Sequence, residues 1–238
     1  MTRTPLPTGE EKTARVRAMF DGIAPRYDLV NRLITLGMDQ HWRRRTVRAL
    51  GLPPGSAVLD LACGTGALGV LATGAGYRVV GADMSPGMLA GTRARRARLP
   101  AALADAAALP FATASFDGLV CGFALRNFTD LGASLAEAAR VLRPGGRICL
   151  LEVGAPPRSL LRAGHRVWFH HVVPAIGAAL SDPAAYRYLP ESVAYLPDER
   201  VLRQMLRAAG FSAVGRQLLQ GGLSQLLTGT RTGPAWEP

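Results

Sequence analysis

Between residues 51 and 153, short apolar runs alternate with stretches whose apolar positions recur every three or four residues. The runs at 57–61, 78–82, 101–104, 117–123 and 147–153 predict strands, and the stretches at 67–75, 86–97 and 131–142 predict helices. This alternation is the signature of βαβ units, in which a parallel sheet is covered on both faces. From residue 11 to 50 the spacing is helical, with breaks at "GIAPRYD" and "LGMD", which predicts two or three helices ahead of the sheet. Residues 1–10 hold two prolines and no periodicity and predict a flexible tail. The rhythm stops at 154–197, where prolines, aromatics and histidines mix over a length that suits a functional lid. It resumes with a predicted helix at 198–209 and strands at 211–217 and 223–230. The expected plan is a tail (1–10), a helical cap (11–50) and an α/β doubly wound domain (51–238) with a lid insertion at about 154–197.

A chain of 238 residues, 48% of them hydrophobic, is long enough for such a core and argues against wholesale disorder. The formal net charge is +11, and Lys12 is its one lysine, all other basic side chains being arginine. With so much Ala, Gly and Pro, this is what a GC-rich genome writes. The sharper reading is attraction to phosphate, in nucleic acid or anionic lipid. No RNA-binding signature and no dense basic run with interleaved aromatics is present, which sets nucleic acid aside and favours lipid. Cys63, Cys121 and Cys149 are widely spaced in apolar runs, the pattern of reduced buried thiols and not of a disulfide frame or a metal site. The N-terminus lacks the apolar segment of a signal peptide, and no apolar run approaches about 18 residues. The expected location is the cytoplasm, with peripheral contact at the inner face of the cell membrane.

Candidate chemistry centres on "VLDLACGTGALGVL", residues 58–71, where a strand runs through Asp60 into Gly64, Gly66 and Gly69 and then a helix. Such a turn brings backbone and helix N-terminal N–H groups close to a ligand, and structural glycines at a tight turn are the plain alternative. Asp60 would repel a pyrophosphate and attract an ammonium; alone, it reads equally well as a helix-capping or surface carboxylate. Further along, "VVGADMS" ends the second strand at Asp83, placed to accept from two ribose hydroxyls. "LADAAALPF" puts Asp105 after the third strand, where it could accept from an adenine amino group while the Ala106 N–H donates to the ring. "SFDGLVCGFALRN" makes the fourth strand, ending at Gly122. Three acids at the carboxyl ends of successive strands point to S-adenosylmethionine, a cationic cofactor without phosphate.

With these motifs in place, the chain resembles the UbiE/MenG family, the C-methyltransferases of menaquinone and ubiquinone biosynthesis. The resemblance covers roughly residues 15–230. It rests on "MFDGIAPRYDLVNRLITLGMDQHWRR", "VLDLACGTG", "FALRNFTD", "VLRPGGR" and "YLPESVAYLPD". The glycine turn and "LRPGG" occur throughout class I methyltransferases; the N-terminal block, "LRN" and "YLPES" are specific to the quinone group. The resemblance implies a class I S-adenosylmethionine-dependent methyltransferase, with a Rossmann-like, mostly parallel sheet of seven strands. It places cofactor contacts at Thr65, Asp83, Asp105 with Ala106, and Gly122; Asp60, Gly64, Gly66 and Met84 complete the expected set. Two departures stand out: Gly122 replaces a serine common in the family, and "LEVGAPP" stands where relatives tend to read "LEFSKP".

The implied reaction is methylation of a ring carbon of demethylmenaquinol. It calls for a base to take a hydroxyl proton and a cation or donor to steady the phenolate, but no metal. The resemblance implicates Arg126 and Asn127 near the substrate; an arginine is too weak an acid to serve as a free base, so Arg126 is expected to stabilise the phenolate and position a water. Tyr27 resembles a position that closes over the cofactor, and Asp28 could cap the helix that follows. His41, His170 and His171 read as structural or lid residues. The expected partners are a polyprenyl quinol and an anionic membrane surface, and a homodimer is left open. Alternatives are a ubiquinone-pathway quinol, another phenolic small molecule, or a non-catalytic cofactor-binding scaffold.

Overall fold

The seven apolar runs form one sheet. In the computed structural model, which describes residues 8–94, 99–154, 156, 157, 164, 167–180, 185, 188 and 191–233, the strands are β1 (Ala57–Leu61), β2 (Arg78–Asp83), β3 (Ala101–Leu103), β4 (Phe116–Gly122), β5 (Leu142–Val153), β6 (Phe211–Leu219) and β7 (Ser224–Arg231). Their order is β3-β2-β1-β4-β5-β7-β6; β7 runs antiparallel to both neighbours and the first five strands are parallel. The direction of winding reverses between β1 and β4, and the crevice at such a switch point is where this architecture binds ligands.

Both faces of the sheet are buried, which is why its strands read as continuous apolar runs. Along β1 and β4, Leu59 and Leu119 face one core with α6 (Leu131–Val141) and α8 (Glu199–Ala208). Val58 and Val120 face the other, with Trp42, Val47, Leu68 and Ala72. Strand β5 begins five residues earlier than the spacing predicts, because Leu142 pairs with Phe116 across a bulge and carries "RPGG" into the sheet.

Three helices precede the sheet: α1 (Gly9–Ile23), α2 (Tyr27–Ile34) and α3 (Met38–Leu50), with α4 (Ala67–Gly74) and α5 (Pro86–Ala94) following β1 and β2. Helix α1 starts inside the stretch expected to be a tail; residues 1–7 lie outside the described ones. A single 3-10 turn at Ala24–Arg26, set by Pro25, separates α1 from α2. Three side chains pin these helices to the sheet edge. Lys12, buried, donates to the carbonyls of Arg126 (3.2 Å) and Phe128 (2.6 Å). Asp21 accepts from the Ser85 hydroxyl (2.5 Å) and the Gly87 N–H (2.9 Å), and Asp28 from the Thr65 hydroxyl (2.8 Å). In the stretch expected to be a lid, a π-helical turn (Trp168–Val172) leads into α7 (Val173–Leu180). No helix among the described residues is long and apolar enough to cross a membrane.

Candidate functional site

At the carboxyl ends of β1 to β4 lies a crevice of about 700 Å³ including its open mouth, floored by Leu61, Gly64, Asp83, Asp105 and Gly122 and roofed by Val16, Phe20 and Tyr27 of the cap. A smaller cleft, of about 300 Å³ measured the same way, continues beneath the glycine turn, between Asp60, Thr65, Gly122 and Arg43. A third cavity, of about 1010 Å³ including its open mouth, is walled mostly by apolar groups, among them Met19, Ile23, Ile34, Trp42, Phe123 and Trp168. Tyr27 lines all three spaces, and Arg43 lines both the cleft and the apolar cavity.

The carboxylates are held by backbone donors. Asp60 is 1% exposed and its Oδ2 accepts the N–H of Gly69 at 2.7 Å, so from the end of β1 it satisfies a free N–H in the first turn of α4. Burial pushes its carboxyl up to about 7, against the opposing pull of the Gly69 N–H and of Arg43. Asp83 accepts from the Gly64 N–H (2.8 Å) and the Ser85 N–H (2.9 Å), one per oxygen, leaving lone pairs on both oxygens for hydroxyls. Its carboxyl is also raised, chiefly by burial. Asp105 is exposed at the rim and accepts from the Ala107 N–H at 2.8 Å.

The glycine turn divides its labour. Gly64 (φ +56°) lines the crevice and the cleft. Gly69 carries no side chain because a Cβ there would lie 2.6 Å from Leu99 Cδ2 and 2.9 Å from Asp60 Oδ2. Gly66, expected among the cofactor contacts, lines none of the three spaces. It stands at φ +80° as the N-cap of α4, facing Thr92 and Leu99, and its place is set by packing.

Behind the apolar cavity sits a buried ion pair. Arg126 Nη1 binds Glu152 Oε1, Arg126 Nε donates to Ser192 Oγ (3.1 Å), and Nη1 also donates to the Phe123 carbonyl (2.8 Å). Arg126 lines the apolar cavity, whereas the neighbouring Asn127 lines the crevice and its Oδ1 accepts from the Tyr188 hydroxyl at 3.3 Å. Burial raises the Tyr27 phenol, so this hydroxyl stays protonated near neutral pH and keeps a proton to donate.

A profile of the ubiE/COQ5 methyltransferase family matches residues 8–231. The chain belongs to the ubiE/COQ5 methyltransferase family. It is 42% identical over 223 residues to a demethylmenaquinone methyltransferase of Mycolicibacterium gilvum, covering 93% of this chain and 97% of that one. The demethylmenaquinone methyltransferase of Mycobacterium tuberculosis is 42% identical over 219 residues, 92% of this chain and 93% of the relative. Among solved structures, a SAM-dependent methyltransferase of Thermotoga maritima superposes with a TM-score of 0.65 at 18% identity, covering 91% and 100% of the two chains. Phosphoethanolamine N-methyltransferase 2 of Haemonchus contortus, solved with phosphomonomethylethanolamine and S-adenosylhomocysteine, gives 0.64 at 16%, covering 92% of this chain and 60% of that one. These likenesses place the fold among class I methyltransferases.

Within this ubiE/COQ5 member, the residues singled out in the sequence fall into groups. Gly64, Asp83, Met84, Asp105, Ala106, Gly122, Asn127 and Tyr27 meet around the crevice, and Asp60 and Thr65 meet in the cleft. His41 and His171 are exposed and line none of the three spaces, and the side chain of His170 lies outside the described ones. Two functional candidates escaped the sequence reading. Arg43, in "HWRR", is buried against Asp39 (3.4 Å), and its guanidinium lies 5.6 Å from the Phe123 ring centroid. Glu152, in "LEVG", is fully buried at the end of β5. An acid inside an otherwise apolar strand was the available signal for Glu152; Arg43 sat unmarked in a run of arginines.

Proposed function

We propose that this chain transfers a methyl group from S-adenosylmethionine to a ring carbon of demethylmenaquinol. The observation that carries the reading is the junction at Tyr27, where a crevice rimmed by carboxylates meets a large apolar cavity. A polar, cationic donor fits the first space and a prenylated ring fits the second.

The residues present suit that cofactor. The buried cleft offers one carboxylate, Asp60, and one guanidinium, Arg43, which complement the ammonium and carboxylate of an amino-acid end. Asp83 is oriented by two backbone donors to receive a ribose diol, and Asp105 with Ala106 stands at the adenine end. When bound, S-adenosylmethionine supplies a methyl on a cationic sulfur that departs as a neutral thioether.

The chain's own groups handle the acceptor. Phe123, Trp42 and Trp168 bury the ring and exclude water. Arg126, held in one rotamer by Glu152, Ser192 and the Phe123 carbonyl, steadies the developing phenolate and orients the water that takes the hydroxyl proton. Tyr27 donates to the same ring oxygen, and Asn127, tied to Tyr188, borders the donor side. Methylation leaves a hydrogen on the attacked carbon, and its loss as a proton restores the aromatic ring. The reduced quinol is the substrate, because the oxidised ring is too electron-poor to attack. Its prenyl tail resides in a bilayer, so the enzyme works at a membrane surface, which a net charge of +11 favours.

Titration with S-adenosylmethionine, followed by mass spectrometry of a panel of reduced quinols and simple phenols, tests the reading. The expected result is cofactor binding and a gain of one methyl on demethylmenaquinol. Methyl gain only on a ubiquinone precursor or a simple phenol would reassign the substrate, and binding without any transfer would make the chain a scaffold.

A further inference from the structure

Helix α2 is apolar on two opposite sides. Its inner side turns Tyr27, Asn31 and Ile34 to the apolar cavity and buries Val30 in the core beneath. Its outer side leaves Leu29 and Leu33 exposed at 55% and 42%, and the following turn adds Leu36 at 71%. Positions 29, 33 and 36 recur at i, i+4 and i+7 and so form one stripe. Arg26, in the 3-10 turn before α2, and Arg32 lie three residues to either side of Leu29 and are both exposed; Arg26 Nη1 donates to the Leu180 carbonyl at 2.8 Å and keeps its other N–H groups. Asp28, the one acid of α2, is exposed off the stripe, about 100° around the helix from Leu29, and accepts from the Thr65 hydroxyl.

The segment that walls the cavity is bonded to the end of α2. The Trp168 indole N–H donates to the Ile34 carbonyl at 3.0 Å while its ring lines the cavity, and the preceding Val167 is 56% exposed. Four of the seven large apolar side chains exposed among the described residues therefore belong to α2, the turn after it and the segment bonded to it. Leu36 is the sharpest case. It occupies the left-handed position (φ +52°) that ends α2, closed by the Gly37 N–H donating to the Arg32 carbonyl at 2.8 Å, where glycine is the favoured residue. A leucine there strains the backbone and gains no burial within the chain.

We propose that Leu29, Leu33, Leu36 and Val167, rimmed by Arg26 and Arg32, form the surface that docks on anionic lipid. The leucines enter the headgroup–acyl boundary and the arginines remain at the lipid phosphates, the arrangement of an interfacial amphipathic helix. Docked this way, the α2–Trp168 wall of the apolar cavity lies against the bilayer, and a prenyl chain passes between lipid and cavity along it. A two-fold contact with a second copy would instead bring the arginines of the two stripes together, with the one acid of α2, Asp28, already engaged by Thr65. The inference rests on the proposed quinol substrate for its purpose, but its surface can be tested separately.

The test compares the full chain with the Leu29→Ser/Leu33→Ser/Leu36→Ser variant in flotation with vesicles of phosphatidylglycerol and phosphatidylcholine, after circular dichroism shows equal folding. The wild type floats with anionic vesicles at low salt, and the variant binds them at least about tenfold less well. Arg32→Gln weakens the preference for phosphatidylglycerol. Both chains methylate a water-soluble, short-chain demethylmenaquinol at equal rates, whereas the triple variant loses about tenfold or more on long-chain quinol in vesicles. Flotation of the variant equal to the wild type, or no flotation of the wild type, overturns the docking surface. So does a variant that only converts a dimer to a monomer in light scattering. Clean loss of flotation without methylation of any quinol leaves the surface standing and removes the substrate reading.

Discussion

Asp60 concentrates the site's electrostatics in one carboxyl. Because its value is about 7 in the folded chain against 3.8 in the ordinary case, folding favours its protonated form. That stabilising contribution is whole below pH 3.8 and is lost as pH rises through about 7. A cationic ligand reverses the preference, since it needs the carboxylate. Without cofactor, wild type should therefore lose thermal stability relative to Asp60→Asn between pH 5 and 8. Its affinity for S-adenosylmethionine should rise over the same range, with proton release on binding below pH 7 seen by calorimetry in two buffers. A pH-independent affinity would remove Asp60 from the cofactor site. Arg126 demands a different design. Arg126→Ala strands Glu152 in the core, and breaking a buried pair in this way costs roughly 3–5 kcal/mol. The informative variant is Arg126→Gln with Glu152→Gln, which should melt within a few degrees of the wild type, bind cofactor normally and turn over at least about a hundredfold more slowly. Unchanged turnover in that folded double variant would assign the phenolate to another group. Asp60 was legible because it precedes a glycine turn, while the Arg126–Glu152 pair was not, since its members stand 26 positions apart and meet only once β4 and β5 align.

At the scale of elements, the glycine turn is a packing device as much as a binding one. Gly69 lets α4 approach Leu99 and Asp60, so Gly69→Ala should cost on the order of 1–3 kcal/mol in chemical denaturation and weaken cofactor binding with it. The cap is a second case. Lys12, Asp21 and Asp28 tie α1 and α2 to the loops after β4, β2 and β1, the loops that line the crevice. Asp21→Ala/Asp28→Ala should raise hydrogen exchange in α1 and α2, and the cofactor should protect these helices less than in the wild type; unchanged exchange would show that the two acids do not hold the cap. Strands and helices from 57 to 153 were readable because a sheet buried on both faces leaves unbroken apolar runs. The early start of β5 was not, because "LRPGG" carries proline and glycine and enters the sheet only across a bulge. The start of α1 inside the expected tail was equally hidden, its opening residues Gly9, Glu10 and Glu11 being exposed and carrying no apolar side chain.

For the whole molecule, three neighbouring spaces make one machine. In the proposed reaction the crevice takes a donor by its sugar and base, the cleft takes its amino-acid end, and the cavity across Tyr27 takes the ring and the start of its tail. The first was foreseeable from acids at strand ends. The outline of the cavity was not, because its walls come from α1, α2, α3, the loop after β4, the end of β5 and Trp168, stretches with no shared spacing in the chain. The most direct measurement uses S-adenosylmethionine carrying a carbon-13 methyl, incubated with the protein and reduced demethylmenaquinol, and locates the label by nuclear magnetic resonance. The account predicts a label bonded to ring carbon, formed from the quinol and absent when the quinone is kept oxidised. A label on oxygen, or equal transfer to the oxidised ring, would contradict it.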